Sequence, residues 1–488
     1  MSASFVPTAS DYLRYLPEIV LTVSGIAVMM LEAVAKGKRT YLAYVALLGI
    51  ALAFIANMSA YGDLGSAFQH MIVVDAYATF FRGLVLVVGA LCILASISYL
   101  DQENSQGGEY YALILFSLVG QCTLVTAADL IMVFIGLEIS SIATYILAGY
   151  LRDDRRNNES ALKYFLLGSF ATAFLLYGVA WIYGMVGSTN LDAIRIALET
   201  NIRDPRIVQV VAVAAALIFV GLGFKVSIAP FQMWAPDVYQ GAAAPVSAFM
   251  SAGPKAAAFA VFFRIFMTAF RPMEDRWIYL VWGCALATML IGNFAALLQT
   301  NVKRLLGYSS IAHAGYVLVA LTAASQVGIA AAMFYLASYA LMNVGAFAII
   351  SHIAARNERY VKIEDLSGLA RRQPVLAALF ALFVFSLIGV PLTGGFFGKF
   401  YVFQAALHSN LVWLTVLGLI NSAIAAFYYL RIIVAIYMHE PGEATEEIGS
   451  PSTGLSIAIW ASAIGVLILG IFPSALLEFA SISAAAFR

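Results

Sequence analysis

Charged residues and cysteines are scarce in this sequence of 488 residues. Only 11% of the residues are charged, whereas roughly 25% is usual in soluble domains, which argues against a soluble protein. Lys plus Arg and Asp plus Glu number 27 each, and this zero net charge indicates neither a nucleic-acid nor an acidic partner. The three cysteines, Cys92, Cys122 and Cys284, stand far apart in apolar runs, which favours small hydrophobic side chains over a metal or redox site. A basic region before the first apolar run is also missing, so we expect no cleavable signal peptide.

Long apolar runs, in contrast, fill most of the chain, of which 62% is hydrophobic. A helix that crosses a bilayer needs about 20 mostly apolar residues. Loops, Pro and Gly clusters and charges divide the chain into about fourteen such segments, so we predict an all-α, polytopic membrane protein. The segments are 15–35, 41–61, 74–98, 110–127, 128–150, 159–186, 205–231, 244–268, 275–298, 302–323, 327–354, 374–408, 411–438 and 453–477.

Lysine and arginine are unevenly distributed between the loops of the two sides. One side receives Lys36, Lys38, Arg39, Arg152, Arg155, Arg156, Lys303, Arg304, Arg356, Arg359, Lys362, Arg371 and Arg372. The other side has Arg14, Arg195, Arg203, Arg206, Arg271, Arg276 and Arg488. Because short cytoplasmic loops are enriched in Lys and Arg, the first side is predicted to be cytoplasmic and both termini to lie outside. In the outer loop 187–204, Leu191, Ile194, Leu198 and Ile202 recur at helical spacing and predict a short amphipathic surface helix.

Two of the predicted spans are long and contain internal breaks, at 205–231 and 374–408. In the first, a helix that runs into Pro230 loses a backbone hydrogen bond and its regular packing. Such a break survives in a membrane only where protein or water satisfies the freed backbone groups. Lys225 and Lys255 flank this break in apolar surroundings, and an ionisable residue at such a place is a functional-site hypothesis.

The two breaks lie five spans apart, and a weaker sequence echo has the same spacing. The residues LEISSIA at 137–143 recur loosely as GYSSIAH at 307–313, in the fifth and tenth spans. Since transporters often carry inverted repeats, we predict two inverted five-helix units made of helices 4–8 and 9–13. The predicted organisation is a three-helix segment at 1–100, repeats at 108–270 and 275–438, and a final transmembrane helix at 453–488.

An acid and a lysine lie in the fifth and sixth spans. Glu138 is about 18 Å deep by helical rise, and a lone carboxylate there needs a partner or a proton. Lys163 lies only about 7 Å inside its loop, where it could instead snorkel to the surface. The sequence therefore leaves open whether these two side chains pair.

Three further lysines and one histidine are candidates for proton transfer. Lys225 precedes the first break, Lys255 is about 17 Å deep in the eighth span, and Lys399 lies in the second break. Buried lysines can bind and release protons near neutral pH, and histidine titrates there in any case. His313 stands among Ser309, Ser310 and Tyr316 within the tenth span, unlike His70, His352, His408 and His439, which fall at span ends or in loops. We interpret Asp129 as a helix cap and Asp237 as part of the turn after the break.

Neither of two glycine-containing stretches is a nucleotide site. GGFFGKF at 394–400 lacks the P-loop spacing and has Phe400 where Ser or Thr is required. The pair Gly221 and Gly223 lies in a membrane span, so it is no dinucleotide fingerprint. We therefore expect no cofactor-binding site and no metal in this chain.

The motif PFQMWAPDVYQGAAAP at 230–245, with a lysine on either side, resembles the signature of the antiporter-like, proton-pumping membrane subunits of respiratory complex I. NVKRLLGYSSIAHAGY at 301–316 and VPLTGGFFGKF at 390–400 are similar to further segments of that family. The motif PDVYQG and a lysine at 399, where sister subunits carry an acid, favour one branch of this family. Gln232 and Ala244 depart from the pattern, which usually has histidine and often proline there; glutamine cannot titrate.

The resemblance implies fourteen helices with two inverted five-helix units, and roles for individual residues. Glu138 and Lys163 resemble the paired acid and lysine of the first half-channel, and Lys225 and Lys255 the central lysine and its neighbour. His313 resembles a connecting residue and Lys399 the terminal lysine. By this resemblance the chain would move protons in the inner membrane of a bacterium, beside sister antiporter-like subunits. NADH, FMN, iron–sulfur clusters and quinone would bind in partner subunits.

From these residues we form one hypothesis with three rivals. Opening of a Glu138–Lys163 pair would weaken the hold of Lys225 on its proton, which would pass through Lys255 and His313 to Lys399. The rivals are a subunit of a cation/proton antiporter or membrane-bound hydrogenase, an independent transporter of a small metabolite, and a purely structural anchor. Co-purification with flavin and iron–sulfur subunits, uptake by the isolated chain, and neutralisation of the deep charges would distinguish them.

Overall fold

The computed structural model describes residues 7–34, 39–446 and 448–487, and over these residues the fold is almost entirely helical. Three of the basic residues used to predict the orientation, Lys36, Lys38 and Arg488, lie outside the described residues.

The helices follow one another with short connections. In chain order they are α1 (Ala9–Arg14), α2 (Leu16–Val34), α3 (Tyr41–Ala60), α4 (Ala76–Gln102), α5 (Gly108–Thr126), α6 (Leu130–Ala148), α7 (Arg155–Val186), α8 (Leu191–Asn201), α9 (Pro205–Val226), α10 (Trp234–Gly241), α11 (Ala244–Thr268), α12 (Glu274–Leu297), α13 (Val302–Thr322), α14 (Gln326–Ile353), α15 (Leu369–Arg372), α16 (Pro374–Ile388), α17 (Gly394–His408), α18 (Val412–Met438), α19 (Glu443–Glu446), α20 (Thr453–Ile471) and α21 (Pro473–Ala484). Short 3₁₀ turns cover Arg271–Met273, Arg356–Glu358 and Glu364–Leu366. Two strands, β1 (Gly65–Ala67) and β2 (Ile72–Val74), pair antiparallel with Ser66 opposite Val73.

The number of membrane crossings agrees with the sequence. Among the described residues, 13 helices are long and apolar enough to span a bilayer. A further crossing is divided between α16 and α17, each of 15 residues, which replace the single long segment predicted at 374–408. The prediction of an all-α, multi-pass membrane protein with about fourteen crossings is confirmed.

Three helices form the centre of the bundle. Every residue in the most apolar window of α11 is buried, and 94% of those in α13 and α14. The corresponding fraction is 28% for α2 and 39% for α7, α12 and α18, which lie at the periphery. A helix that is apolar on all sides belongs in the core, so an ionisable residue in the middle of α11 or α13, such as Lys255 or His313, is enclosed by protein.

The two ends of the bundle differ in their loops. At one end, Arg14 pairs with Asp63 near the β-hairpin, and the ring of Phe487 lies against Arg264, itself paired with Asp75. The opposite end collects the basic residues that the sequence assigned to one side, as far as the structure describes them. There Arg156 donates to the carbonyl of Asn357 at 2.7 Å, and Arg304, Arg359 and Arg371 pair with acids.

Several local predictions are confirmed. The loop 187–204 contains the helix α8, which buries Leu191, Ile194 and Leu198. The carboxylate of Asp129 accepts from the backbone N–H of Ile131 at 2.8 Å and so caps α6.

Other boundaries differ from the predictions. The seventh crossing ends at Val226, four residues before Pro230. The last predicted span divides before Pro473, which is the first residue of α21. Proline suits this position because the backbone N–H of the first helical residue makes no bond within the helix. The hairpin of β1 and β2 was not predicted, because strands of three residues leave no detectable alternation.

A row of buried charges between two broken helices

The first helix break places Lys225 in the last turn of α9. The helix closes at Ser227, whose φ of 61° lies in the left-handed region, and a cis Ala229–Pro230 bond follows. The side chain of Lys225 is buried, and its Nζ donates to Ser141 Oγ at 2.9 Å and to Tyr164 Oη at 3.0 Å. Both acceptors are neutral hydroxyls on neighbouring helices, α6 and α7. Among the described residues, the ammonium therefore has hydrogen-bond partners but no carboxylate within ion-pair distance.

The next lysine, Lys255, lies in the centre of α11. It is only 2% exposed, and its Nζ donates to the backbone carbonyl of Ser310 at 3.0 Å and also to Ser310 Oγ. Ser310 belongs to α13, so this contact joins two of the three central helices.

One face of α13 continues from this contact towards the second break. His313 stands one turn after Ser310, and its Nδ1 lies 2.7 Å from Tyr335 Oη. Its Nε2 lies 3.3 Å from Tyr429 Oη. One turn further on, the ring of Tyr316 lies beneath Lys399, with 5.1 Å between the ammonium and the ring centroid. Since side chains three apart share a helix face, Ser310, His313 and Tyr316 form a continuous polar row.

The second break places Lys399 at the C-terminal end of the preceding half-helix. Its Nζ donates to the carbonyls of Leu387 and Ile388 at 3.0 and 2.7 Å, and to Ser422 Oγ at 2.8 Å. These carbonyls end α16 and have no further helical partner. Gly389 makes the approach possible, because its φ of 95° suits glycine and a Cβ there would lie 3.1 Å from the lysine Cδ.

The predicted pair of Glu138 and Lys163 does not form in this structure. Glu138 accepts from Thr172 Oγ1 at 2.8 Å, whereas Lys163 pairs with Glu159 at 2.7 Å and with Asp237 at 2.8 Å. Thr172 and Lys163 are both on α7, nine residues and therefore about 13.5 Å apart along its axis. Lys163 extends to the basic end of the bundle, as its shallow position in the sequence allowed, and the pairing that the family resemblance implied is wrong for this conformation.

Asp237 is the charged residue that the sequence reading undervalued. It lies in the first turn of α10, not in a plain turn, and contacts Lys163 on α7 and Arg304 on α13. Partial burial acts to raise the pKa of its carboxyl, but Lys163 and Arg304 together hold that pKa below its usual value. In the sequence, Asp237 could have been recognised as a candidate because it stands among prolines and aromatic residues, three residues after Trp234.

Several uncharged partners were also missed, namely Ser141, Tyr164, Ser310, Tyr335 and Ser422. Ser141 and Ser310 stand in the two echoed sequence segments, so the echo marked the residues that contact Lys225 and Lys255.

The departure at position 244 has a structural reason. The backbone N–H of Ala244 donates to Glu358 Oε1 at 2.7 Å, a bond that proline cannot make. Glu358 also pairs with the fully buried Lys303, which donates to the carbonyl of Ala242. The alanine thus allows this buried ion pair to hold the start of α11. At position 232, Gln232 Oε1 is buried without a hydrogen-bond partner among the described residues.

No group of three or more His, Cys, Asp or Glu side chains within the described part of the chain is arranged to hold a metal ion. Cys92 and Cys122 are buried as free thiols, as expected for small apolar side chains.

Comparison with known proteins identifies the class to which this arrangement belongs. Residues 127–425 match the family model described as NADH:quinone oxidoreductase/Mrp antiporter, transmembrane. A chain of respiratory complex I from Thermus thermophilus with bound aureothin superposes with a TM-score of 0.80 at 33% identity, over 95% of this chain and 99% of that one. A chain of the Mrp complex from Dietzia sp. shares the fold, with a TM-score of 0.84 at 22% identity and 97% coverage of both chains. The fold and the buried row therefore define an antiporter-like membrane subunit.

Within that class the assignment is narrower. The NADH-quinone oxidoreductase subunit N 1 of Solibacter usitatus is 60% identical over 486 residues, which cover 99% of each chain. The chain belongs to the family of NADH-quinone oxidoreductase subunit N, the branch that the PDVYQG wording and Lys399 favoured.

Proposed function

We propose that this chain is a proton-translocating membrane-arm subunit of an NADH–quinone oxidoreductase, and that redox chemistry in partner subunits drives it. One observation carries the proposal: four titratable side chains, Lys225, Lys255, His313 and Lys399, are buried in a row that runs from one broken helix to the other. Buried ionisable groups in a membrane are expensive and are kept where ions or protons move. The names of the relatives and of the complex I neighbour agree with this role.

Hydroxyl groups supply the connections between the titratable groups. Ser310 and the tyrosines around His313 lie between Lys255 and Lys399. The buried hydroxyls of Tyr239, whose ring centroid lies 5.9 Å from that of Trp234, and of Tyr339, whose ring centroid lies 5.1 Å from that of His313, have no hydrogen-bond partner by distance and angle among the described residues. Buried polar groups of this kind are usually satisfied by ordered water, and chains of water and hydroxyls conduct protons. The path is therefore proposed to pass through these groups, without a metal.

The control of Lys225 is proposed to come from Glu138 acting at a distance. Glu138 stands one turn before Ser141 on α6, and Ser141 accepts from the ammonium of Lys225. A carboxylate there favours a charged lysine, and loss of that charge favours release of the proton. One pKa unit corresponds to about 1.4 kcal/mol, so modest movements of charge suffice to direct transfer. Lys163, at the basic end, would act on the same site through Asp237.

The surroundings follow from the same proposal. The basic end of the bundle would face the cytoplasm of a bacterium, with the chain in the inner membrane and both termini periplasmic. Sister antiporter-like subunits would contact the chain, while NADH, FMN, iron–sulfur clusters and quinone would bind elsewhere in the complex. The two five-helix units, 108–270 and 275–438, would each contain one break and repeat one device.

Substitution of Lys225 by alanine tests the proposal in the assembled complex. We expect proton pumping to be lost, because the buried ammonium of Lys225 is the group at the first break that is proposed to hold the proton. Pumping is measured by acidification of membrane vesicles on addition of NADH, together with quinone reduction. Lys362→Ala is the control for loss of a lysine, since Lys362 is exposed at the basic end of the bundle. Full pumping and full quinone reductase activity in Lys225→Ala would overturn the proposed function.

A further inference from the structure

The short helix α10 is fastened to α7 by a regular stripe of side chains. Asn157 Nδ2 donates to the carbonyl of Gly241 at 2.8 Å, and Ser160 Oγ donates to the carbonyl of Val238 at 3.0 Å. Lys163 then pairs with Asp237 at 2.8 Å. These three residues of α7 follow one another at intervals of three, so one face of α7 receives the whole length of α10.

The carboxylate of Asp237 is also shared with a third helix. Its Oδ1 lies 2.5 Å from Arg304 Nη1 on α13, while its Oδ2 receives Lys163. Arg304 additionally donates to Gln240 Oε1 at 3.0 Å. One carboxylate therefore joins α7, α10 and α13 at the basic end, directly above the first break.

An aromatic stack connects this cluster to Lys225. Trp234, one turn before Asp237, stacks on the ring of Tyr164 with 4.4 Å between centroids and 7° between planes. Its indole N–H donates to the carbonyl of Phe224 at 2.9 Å. Tyr164, next to Lys163 in the chain, accepts from the ammonium of Lys225 at 3.0 Å. A displacement of α10 thus moves the ring that carries a hydrogen-bond acceptor of Lys225.

We propose that Asp237 is a positioning residue for Lys225: its two ion pairs hold α10 so that Trp234 keeps the Tyr164 hydroxyl on the lysine ammonium. This inference rests on the proposed function and adds to it a mechanical link from surface charge to the buried lysine. When Lys163 leaves Asp237, α10 loses one of these three polar side-chain contacts with α7, the contact nearest Trp234. The stacked Tyr164 hydroxyl can then leave Lys225, and the loss of this acceptor favours release of the lysine's proton.

Among the described residues, few charged or titratable groups lie beside Asp237 and Lys225. Asp237 faces Lys163, which also pairs with Glu159, and Arg304, whose guanidinium lies 5.7 Å from the centroid of Tyr308. Lys225 faces Ser141 and the rings of Tyr145 and Tyr164, and Glu138 lies one turn before Ser141 on α6. Because Asp237 is 32% exposed, its ion pairs are partly screened, and the effect of its removal is moderate.

The test is Asp237→Asn in the assembled complex, since asparagine keeps the shape and removes the charge. We expect the alkaline limb of the pH profile of pumping to move about half a unit to lower pH, as loss of a partly exposed ion pair allows. Asp237→Glu restores the profile if charge and reach are what matter. Lys163→Gln shifts it in the same direction, and the double variant shows less than the sum, because both act on one contact. Glu443→Gln, which removes the exposed pair with Arg359, is the control and leaves the profile unchanged.

Each outcome decides the proposal. A residue that only supports the fold would lower the amount of assembled complex and leave the pH profile per complex as it was. That result, or additive effects of the two variants, overturns the positioning role while the proposed function stands. Retained pumping in Lys225→Ala would remove the proposed function itself, whatever Asp237→Asn does.

Discussion

The two helix breaks use a lysine in opposite ways. At the first break the carbonyl of Phe224, at the end of α9, accepts from the indole of Trp234 at 2.9 Å and from the backbone N–H of Ser227 at 3.0 Å. Lys225 is thereby free to donate to hydroxyls of two other helices. At the second break no indole intervenes, and Lys399 itself donates to two carbonyls at the end of α16.

This difference separates a lysine bound to neutral hydroxyls from a lysine bound to a helix end. The C-terminal end of a helix carries partial negative charge and unpaired carbonyls, so an ammonium bound there is stabilised as a cation. Neutral hydroxyls stabilise it less and can turn to other partners when the proton leaves. The lysines of the two broken spans therefore have different roles: Lys225 exchanges partners, whereas Lys399 also holds a broken helix together.

The largest expected effect follows from removing the ammonium of Lys399 from the end of α16. Lys399→Met leaves the carbonyls of Leu387 and Ile388 buried and unpaired, at about 1–3 kcal/mol each. We expect it to lower the unfolding midpoint of the purified chain or complex clearly more than Lys225→Met does, although both stop pumping. Thermal unfolding in detergent measures this. Equal destabilisation by the two variants would remove the distinction between the breaks.

A smaller effect is expected from making the first break resemble the second. Trp234→Phe removes the indole donor from the carbonyl of Phe224, which keeps only the backbone N–H of Ser227 at 3.0 Å. Lys225 can then turn to this carbonyl, and we expect pumping to fall about tenfold, equivalent to about 1.4 kcal/mol. Trp277→Phe is the matched control, because Trp277 makes the same kind of bond to Phe270 at 3.0 Å, away from the lysines. Similar losses in both variants would mean that any lost indole bond impairs the chain.

The smallest effects are expected from the removal of single hydroxyl groups at the two breaks. Ser141→Ala leaves Lys225 with one hydroxyl acceptor, while Ser422→Ala leaves Lys399 with two carbonyls. At roughly 1 kcal/mol per hydrogen bond, we expect about a fivefold loss of pumping for Ser141→Ala and less than twofold for Ser422→Ala. Initial pumping rates in vesicles give both values. The reverse order would contradict the idea that Lys399 depends mainly on the helix end.

Much of the architecture was predictable because the bilayer imposes simple rules. Apolar length predicted the crossings, and Pro230 with the glycines before Lys399 predicted the breaks. The deep lysines and His313 stood out because a charge in an apolar run is rare. Glu138 and Lys163 show where this reasoning failed. Their depths in the membrane differ, yet the family resemblance suggested that they pair. In the structure Glu138 contacts Thr172, which lies about 13.5 Å along α7 from Lys163, and Lys163 pairs with Asp237 instead.

The sequence by itself determined that this is a multi-pass helical membrane protein, where two of its crossings break, and which side chains on the row can titrate. Only the tertiary structure decided what each of them touches. Lysine has a long side chain and donates equally well to hydroxyl, carbonyl and carboxylate oxygens, so its partner depends on which helix end or face packing brings near. That is why Lys225 meets hydroxyls, Lys399 meets a helix end, and Lys163 meets Asp237.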